Sequence, residues 1–166
     1  MSGILKEIRQ RRPFSTKEEE AMVSLVRTVA VLSQPTEDYL KEHDLTRTQY
    51  NVLRILRGAG EAGWSCKEIG DRLVQREPDI TRLLGRLERR GLISRKQDLE
   101  DRRSVLTRIT KRGLALLESL QPELSRIAQD QFRALEEYEL DKLLAILDKI
   151  RAATGQGMSE TNNGAD

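Results

Sequence analysis

The 166-residue chain has one cysteine, Cys66, and one histidine, His43. A lone cysteine excludes an intramolecular disulfide and a cysteine-rich zinc site. A lone histidine excludes the common histidine-rich metal clusters and leaves little room for a Ser-His-Asp triad. Aromatic residues make up only 4% of the chain, too few for a β-sandwich built on aromatic and β-branched strands. The longest unbroken apolar run is Leu143 to Leu147, five residues. A membrane span needs about 20. The first residues are charged, without the apolar stretch of a secretory signal, so the expected location is the cytoplasm. Neither a cofactor nor a metal is expected, and the chain does not read as an enzyme.

What remains is a helix-rich composition, 37% hydrophobic and 34% charged. The length suits one domain, or one domain with a small appendage. A net charge of +2 conceals an uneven distribution. Asp44 to Arg112 has 17 basic and 10 acidic residues, a net of +7, and the rest of the chain carries −5. A basic middle is the electrostatic footprint of a polyanion partner, although a solvated helical surface has the same charge.

The order of elements decides further. Residues 1–16 read as a polar, basic arm. From Lys17 a helical period runs through Ala21, Met22, Leu25, Val26, Val29 and Leu32. Pro35 is expected to end or kink that helix, with a short turn after it carrying Tyr39 and Leu40. Thr46 and Gln49 have the spacing of a capping box, with Leu45 and Tyr50 as a hydrophobic staple. The signature recurs at Ser65 and Glu68, with Trp64 and Ile69. Between the two lies the stop Gly58-Ala-Gly60. Two short capped helices in series open a helix-turn-helix.

A third helix is expected from Pro78, with Ile80, Leu83, Leu84 and Leu87 on one face and Asp79, Arg82, Arg86 and Arg89 on another. Gly91 supplies its stop. Ile93 to Ile109 reads as a hairpin with the charged tip Gln97 to Arg103. Thr110 then caps a long helix through Leu114, Leu117, Leu120, Leu124, Ile127 and Leu135, kinked at Pro122. A new helix is expected near Asp141, and residues 154–166 are expected to be a disordered tail. The predicted fold is therefore mainly α with a small β-hairpin wing, a winged helix-turn-helix.

Residues Pro78 to Ile93, then Asp101-Arg-Arg-Ser-Val-Leu106 and Thr110-Lys-Arg-Gly113, resemble the MarR (multiple antibiotic resistance regulator) family in order and spacing. The resemblance spans about Lys17 to Arg151. It implies a homodimeric bacterial regulator whose first and last helices, 17–43 and 111–153, form the dimer base, with 44–110 as the DNA-binding domain. Its partners would be double-stranded DNA, a second copy of the chain and a small aromatic or phenolic effector that releases a repressor. Some family members carry Asp-x-Arg-Asp-x-Arg in the wing. Here Glu100 stands at the first of those arginines, so the wing depends on Arg102 and Arg103.

Arg82 and Arg86 are the candidate base-reading residues, since arginine bonds a guanine edge bidentately. Thr81, Gln75 and Arg76 are candidate base or phosphate partners. Asp79 offsets the helix dipole or accepts from cytosine. Arg102 is assigned to DNA and Arg103 to an ion pair with Asp101, while Arg95 and Lys96 are candidates for phosphate. Ser65 caps a helix whose N-terminus also suits phosphate. The resemblance places effector pockets between dimer base and DNA domain, near Tyr39, His43 and Tyr50. Two recognition helices are expected in successive major grooves of a pseudo-palindromic operator. The rival readings are a winged-helix protein-interaction module without DNA binding, a regulator that senses oxidants through Cys66, and an enzyme using Cys66 as nucleophile.

Overall fold

The computed structural model describes residues 3–75, 77–97 and 104–160, with side chains as far as 154. In chain order the elements are α1 (Gly3–Glu7), α2 (Lys17–Glu42), α3 (Arg47–Ala59), β1 (Trp64–Ser65), α4 (Cys66–Arg72), α5 (Ile80–Arg89), β2 (Ile93–Gln97), β3 (Val105–Ile109), α6 (Lys111–Phe132) and α7 (Glu137–Glu160). The chain divides into a unit ending at Leu124 and a unit beginning at Ser125.

The first unit is a winged helix. Its core is Val52, Leu53 and Leu56 of α3, Ile69 of α4, Leu83, Leu84 and Leu87 of α5, and Leu92, Ile93, Leu117 and Leu120. Each such side chain contributes roughly 1.5–3 kcal/mol on leaving water. Both capping boxes form. The Gln49 N–H donates to Thr46 Oγ1 at 3.2 Å, and the Thr46 N–H to Gln49 Oε1 at 2.9 Å. The Glu68 N–H donates to Ser65 Oγ at 3.3 Å, and the Ser65 N–H to Glu68 Oε2 at 2.9 Å. These two donors on Ser65, N–H first and then hydroxyl, hold the Glu68 carboxyl below its ordinary pKa.

The sheet has three strands, all antiparallel, in the order β1-β3-β2. The expected hairpin is present, with Ile93 opposite Ile109 and Gln97 opposite Val105. The third strand, β1, has only two residues and places Trp64 opposite Thr107, so its partner is far along the chain. The tip of the β2–β3 hairpin, residues 98–103, lies outside the described residues. α6 is seated tightly. Thr110 Oγ1 donates to Gly91 O at 2.7 Å and accepts from the Gly113 N–H at 3.1 Å. A Cβ at Gly113 would lie 2.3 Å from the Leu92 carbonyl oxygen.

Four expectations change. α2 continues through Pro35 instead of ending before a short turn, while α6 runs through Pro122 as the expected long helix does. Each proline removes one bond to the carbonyl four residues earlier, at Val31 and Glu118. Both of those residues are exposed, so water can replace the missing donor. The first residues contain α1, whose Ile4 and Leu5 are buried and whose Glu7 pairs with Arg27 of α2 at 2.7 Å. α7 starts at Glu137 rather than near Asp141, because Glu139 Oε2 already accepts the Glu136 N–H at 3.0 Å. α7 also runs to Glu160, into the segment expected to be a disordered tail; residues 161–166 lie outside the described residues.

The second unit holds the end of α6 and α7. Tyr138, Leu144, Ile146 and Ile150 of α7 are exposed, and the Lys142 ammonium lies 4.8 Å from the Tyr138 ring centre.

Candidate nucleic-acid interface

α5 starts with Asp79 as N-cap, its Oδ1 accepting the Arg82 N–H at 3.0 Å. That bond occupies one oxygen of Asp79 and gives it a structural task. The three buried leucines turn one face of α5 into the core. Thr81, Arg82, Arg86 and Arg89 are exposed on the rest of the helix. Arg82 and Arg86 line a shallow cleft of about 280 Å³ with Thr46, Thr48, Gln49, Glu77 and Asp79. Among the described residues no carboxylate forms an ion pair with Arg82, Arg86 or Arg89. Their guanidinium donors are therefore directed to solvent, or to whatever lies against the helix.

The end of α5 is closed by a Schellman motif. Gly91, at φ 68°, donates to Glu88 O at 2.8 Å, and Leu92 to Leu87 O at 3.1 Å. α2 ends in the same way with an aspartate in the glycine position: Asp44, at φ 55°, donates to Lys41 O at 3.0 Å, and Leu45 to Leu40 O at 2.9 Å.

The flanking candidates divide. Arg95 is engaged by Glu88 of α5: Nη2 lies 2.7 Å and Nε 2.8 Å from Oε2, and the Arg95 N–H donates to Oε1 at 3.1 Å. The side-chain hydrogen bond from Arg95 is the main reason the Glu88 carboxyl sits below its ordinary pKa. Arg95 thus clamps β2 to α5. Lys96 follows the period of two to the other face of the sheet. There it lines a groove with Ser94, Arg108, Arg57 and Glu61. Ser65 is half-buried and occupied as a cap. Cys66 Sγ lies 3.9 Å from Thr81 Oγ1. Arg76, Asp101, Arg102 and Arg103 lie outside the described residues.

Two of the three candidate effector residues are in contact. The Tyr39 and His43 rings meet edge to face at 4.9 Å. Tyr50 instead lines a cavity of about 200 Å³ with Thr36, Leu40, Arg47, Asn51, Arg54, Val74 and Gln75. The Arg54 guanidinium stands 5.9 Å from the Tyr50 ring centre. Gln75, expected at DNA, is an exposed part of this cavity wall. Arg54 escaped the sequence reading, although its i, i+4 spacing from Tyr50 on one helix would have found it.

Residues 45–105 match the profile of the MarR family. The HTH-type transcriptional regulator YkoM of Bacillus subtilis is 31% identical over 144 residues, which cover 84% of this chain and 92% of that protein. A crystal structure of a MarR transcription factor from Planctomyces limnophilus is 34% identical, covers 82% of this chain and 98% of that one, and superimposes with a TM-score of 0.64. The chain belongs to the MarR family. It is a transcriptional regulator with a winged-helix DNA-binding domain. The Staphylococcus aureus MepR–DNA complex is 26% identical to this MarR-family regulator, with a TM-score of 0.70 over 85% of this chain and 99% of that one. The homoprotocatechuate degradative operon repressor of Escherichia coli is 32% identical over 108 residues, 63% of this chain and 72% of that protein.

Proposed function

We propose that this MarR-family regulator acts in the cytoplasm as a homodimer that represses transcription by occupying a pseudo-palindromic operator. In this reading α5 enters the major groove, Arg82 and Arg86 read base edges and Thr81 assists them. Arg76 and Arg102 add contacts to the backbone or the minor groove, and Arg103 pairs within the wing. The observation that carries the reading is the Arg82–Arg86 face: two exposed arginines, without an ion-pair partner among the described residues, opposite three buried leucines. The MepR–DNA complex supports the same use of the fold. Selection from a randomised duplex library tests it. Enrichment of an inverted repeat by the native chain, with relaxed preference at one or two positions for Arg82→Ala, is the expected result. Equal weakening on all duplexes would make Arg82 a phosphate contact.

Dimerisation is supported by α2, where Met22, Val26 and Val29 recur at helical spacing and are 62%, 63% and 53% exposed. So much apolar surface on one stripe suits burial against a second copy. The dimer base is accordingly assigned to residues 17–43 and 111–153, and reading DNA to residues 44–110. Release by a small phenolic acid is assigned to the Tyr50 cavity, whose Arg54 suits a carboxylate and whose tyrosine suits a ring, while Arg47 beside them is held by Ser33 and Glu37. The phenolic acid in the name of the Escherichia coli repressor supports that ligand class.

A further inference from the structure

Arg90 is the C-cap of α5, and its guanidinium reaches across to the elbow between α2 and α3. Nη2 donates to the His43 carbonyl at 3.1 Å, and Nη1 donates to the Asp44 carbonyl. Those two carbonyls are the C-cap and the next residue of α2, the left-handed corner at which the chain turns into the DNA-binding domain. Two helix C-termini, each with partial negative charge, thus converge on one cation. A guanidinium spans two acceptors in a fixed fork, so the contact sets direction as well as distance. On its other side the same helix is held by the Glu88–Arg95 clamp to β2. The last turn of α5 therefore has two anchors, one on the wing and one on the end of α2.

We propose that Arg90 is a positioning residue. It registers the recognition helix against the C-terminal end of α2, so that the direction of α2 sets how α5 is presented to DNA. The proposal rests on the reading of α5 as the DNA-reading helix. Arg90 itself is only half-exposed and donates to protein carbonyls, so its effect on DNA is through α5 and not through a contact of its own.

The test compares the native chain with Arg90→Gln, Arg90→Lys and the double variant Arg90→Gln with Asp44→Gly. The probes are a duplex enriched by the native chain from a randomised library and a scrambled duplex of the same composition. Arg90→Gln is expected to lower affinity for the enriched duplex about tenfold, within the usual range of coupling between sites, and to leave the scrambled duplex and the salt slope unchanged. Arg90→Lys keeps the charge but not the fork. It is expected to fold and to recover only part of the specificity, and it carries the test should Arg90→Gln fail to fold. Asp44→Gly relieves the left-handed residue and should return melting temperature without returning specificity. Recovery of both together would reduce Arg90 to a stabilising contact and overturn the proposal. A parallel loss on both duplexes with a smaller salt slope would make it a phosphate contact, and unchanged specificity in both single variants would also overturn it. If the native chain enriches no sequence, the DNA-reading assignment of α5 falls first, and the role of Arg90 with it.

Discussion

Glu88 of α5 and Arg95 of β2 hold each other at 2.7 Å, and the Arg95 backbone N–H binds the second oxygen of the same carboxylate. A single side chain on α5 therefore takes three donors from one residue of the wing. The recognition helix and the hairpin are joined by this clamp as well as by the leucine core.

The clamp predicts a pH dependence. Arg95 lowers the Glu88 pKa in the folded state. A depressed carboxylate contributes stability above the unfolded pKa, about 4.3 for glutamate, and loses it as pH falls through the folded value. Glu88→Gln should therefore lower the melting temperature at neutral pH and flatten its fall below that range. Both side chains are about one-third exposed, so solvent screening limits the effect to at most about 1 kcal/mol. Thermal melts of both proteins across the acid range check this.

On the open face of α5, Arg86→Ala should cost about 1–3 kcal/mol of binding to an enriched duplex if Arg86 reads a base. It forms no ion pair among the described residues, so its melting temperature should stay close to that of the native chain. Duplex titration and circular dichroism on one preparation separate the two effects.

Gly113→Ala should destabilise the winged domain. Its Cβ would come within 2.3 Å of Leu92 O and 2.8 Å of Ile109 Cγ1. Moving α6 away from Leu92 and from Ile109 of β3 to make room is overpacking of the kind that costs about 1–3 kcal/mol. Urea unfolding should show an earlier midpoint with little change in slope.

In the Tyr50 cavity, Arg54→Ala should abolish thermal stabilisation by hydroxybenzoic acids and leave duplex binding in their absence intact. A thermal-shift panel run on both proteins measures the first, and a duplex titration without ligand the second. Stabilisation that survives the substitution would move the effector site elsewhere.

The parts of this structure that were legible in the sequence are those decided within a few residues. Thr46 with Gln49 and Ser65 with Glu68 cap their helices through contacts three positions apart, and the leucines of α5 are set by helical period. Pro35 misled because a proline inside a helix is judged locally, whereas its cost depends on whether the freed carbonyl can reach water. β1 was invisible as a two-residue strand whose partner is brought near only by the fold. The partners of Arg95 and Arg90 were not legible, because Glu88 and the His43 and Asp44 carbonyls reach them only once α5 is docked. Lys96, one residue from Arg95, shows how much a strand's alternation decides: the neighbours face opposite sides of the sheet.

Trp64 and Ser65, paired with Thr107 and Leu106, tie the neck of a chain loop that contains both α4 and α5. The Arg72 guanidinium stacks 3.8 Å from the Trp64 ring centre and fastens the same neck from within. Both helices therefore lie within a closed loop of chain. Opening of that neck would release both helices at once, so α4 and α5 are expected to open together as one cooperative segment. Amide protons along both helices would then exchange with a common opening free energy, and the two-residue strand β1 would control it.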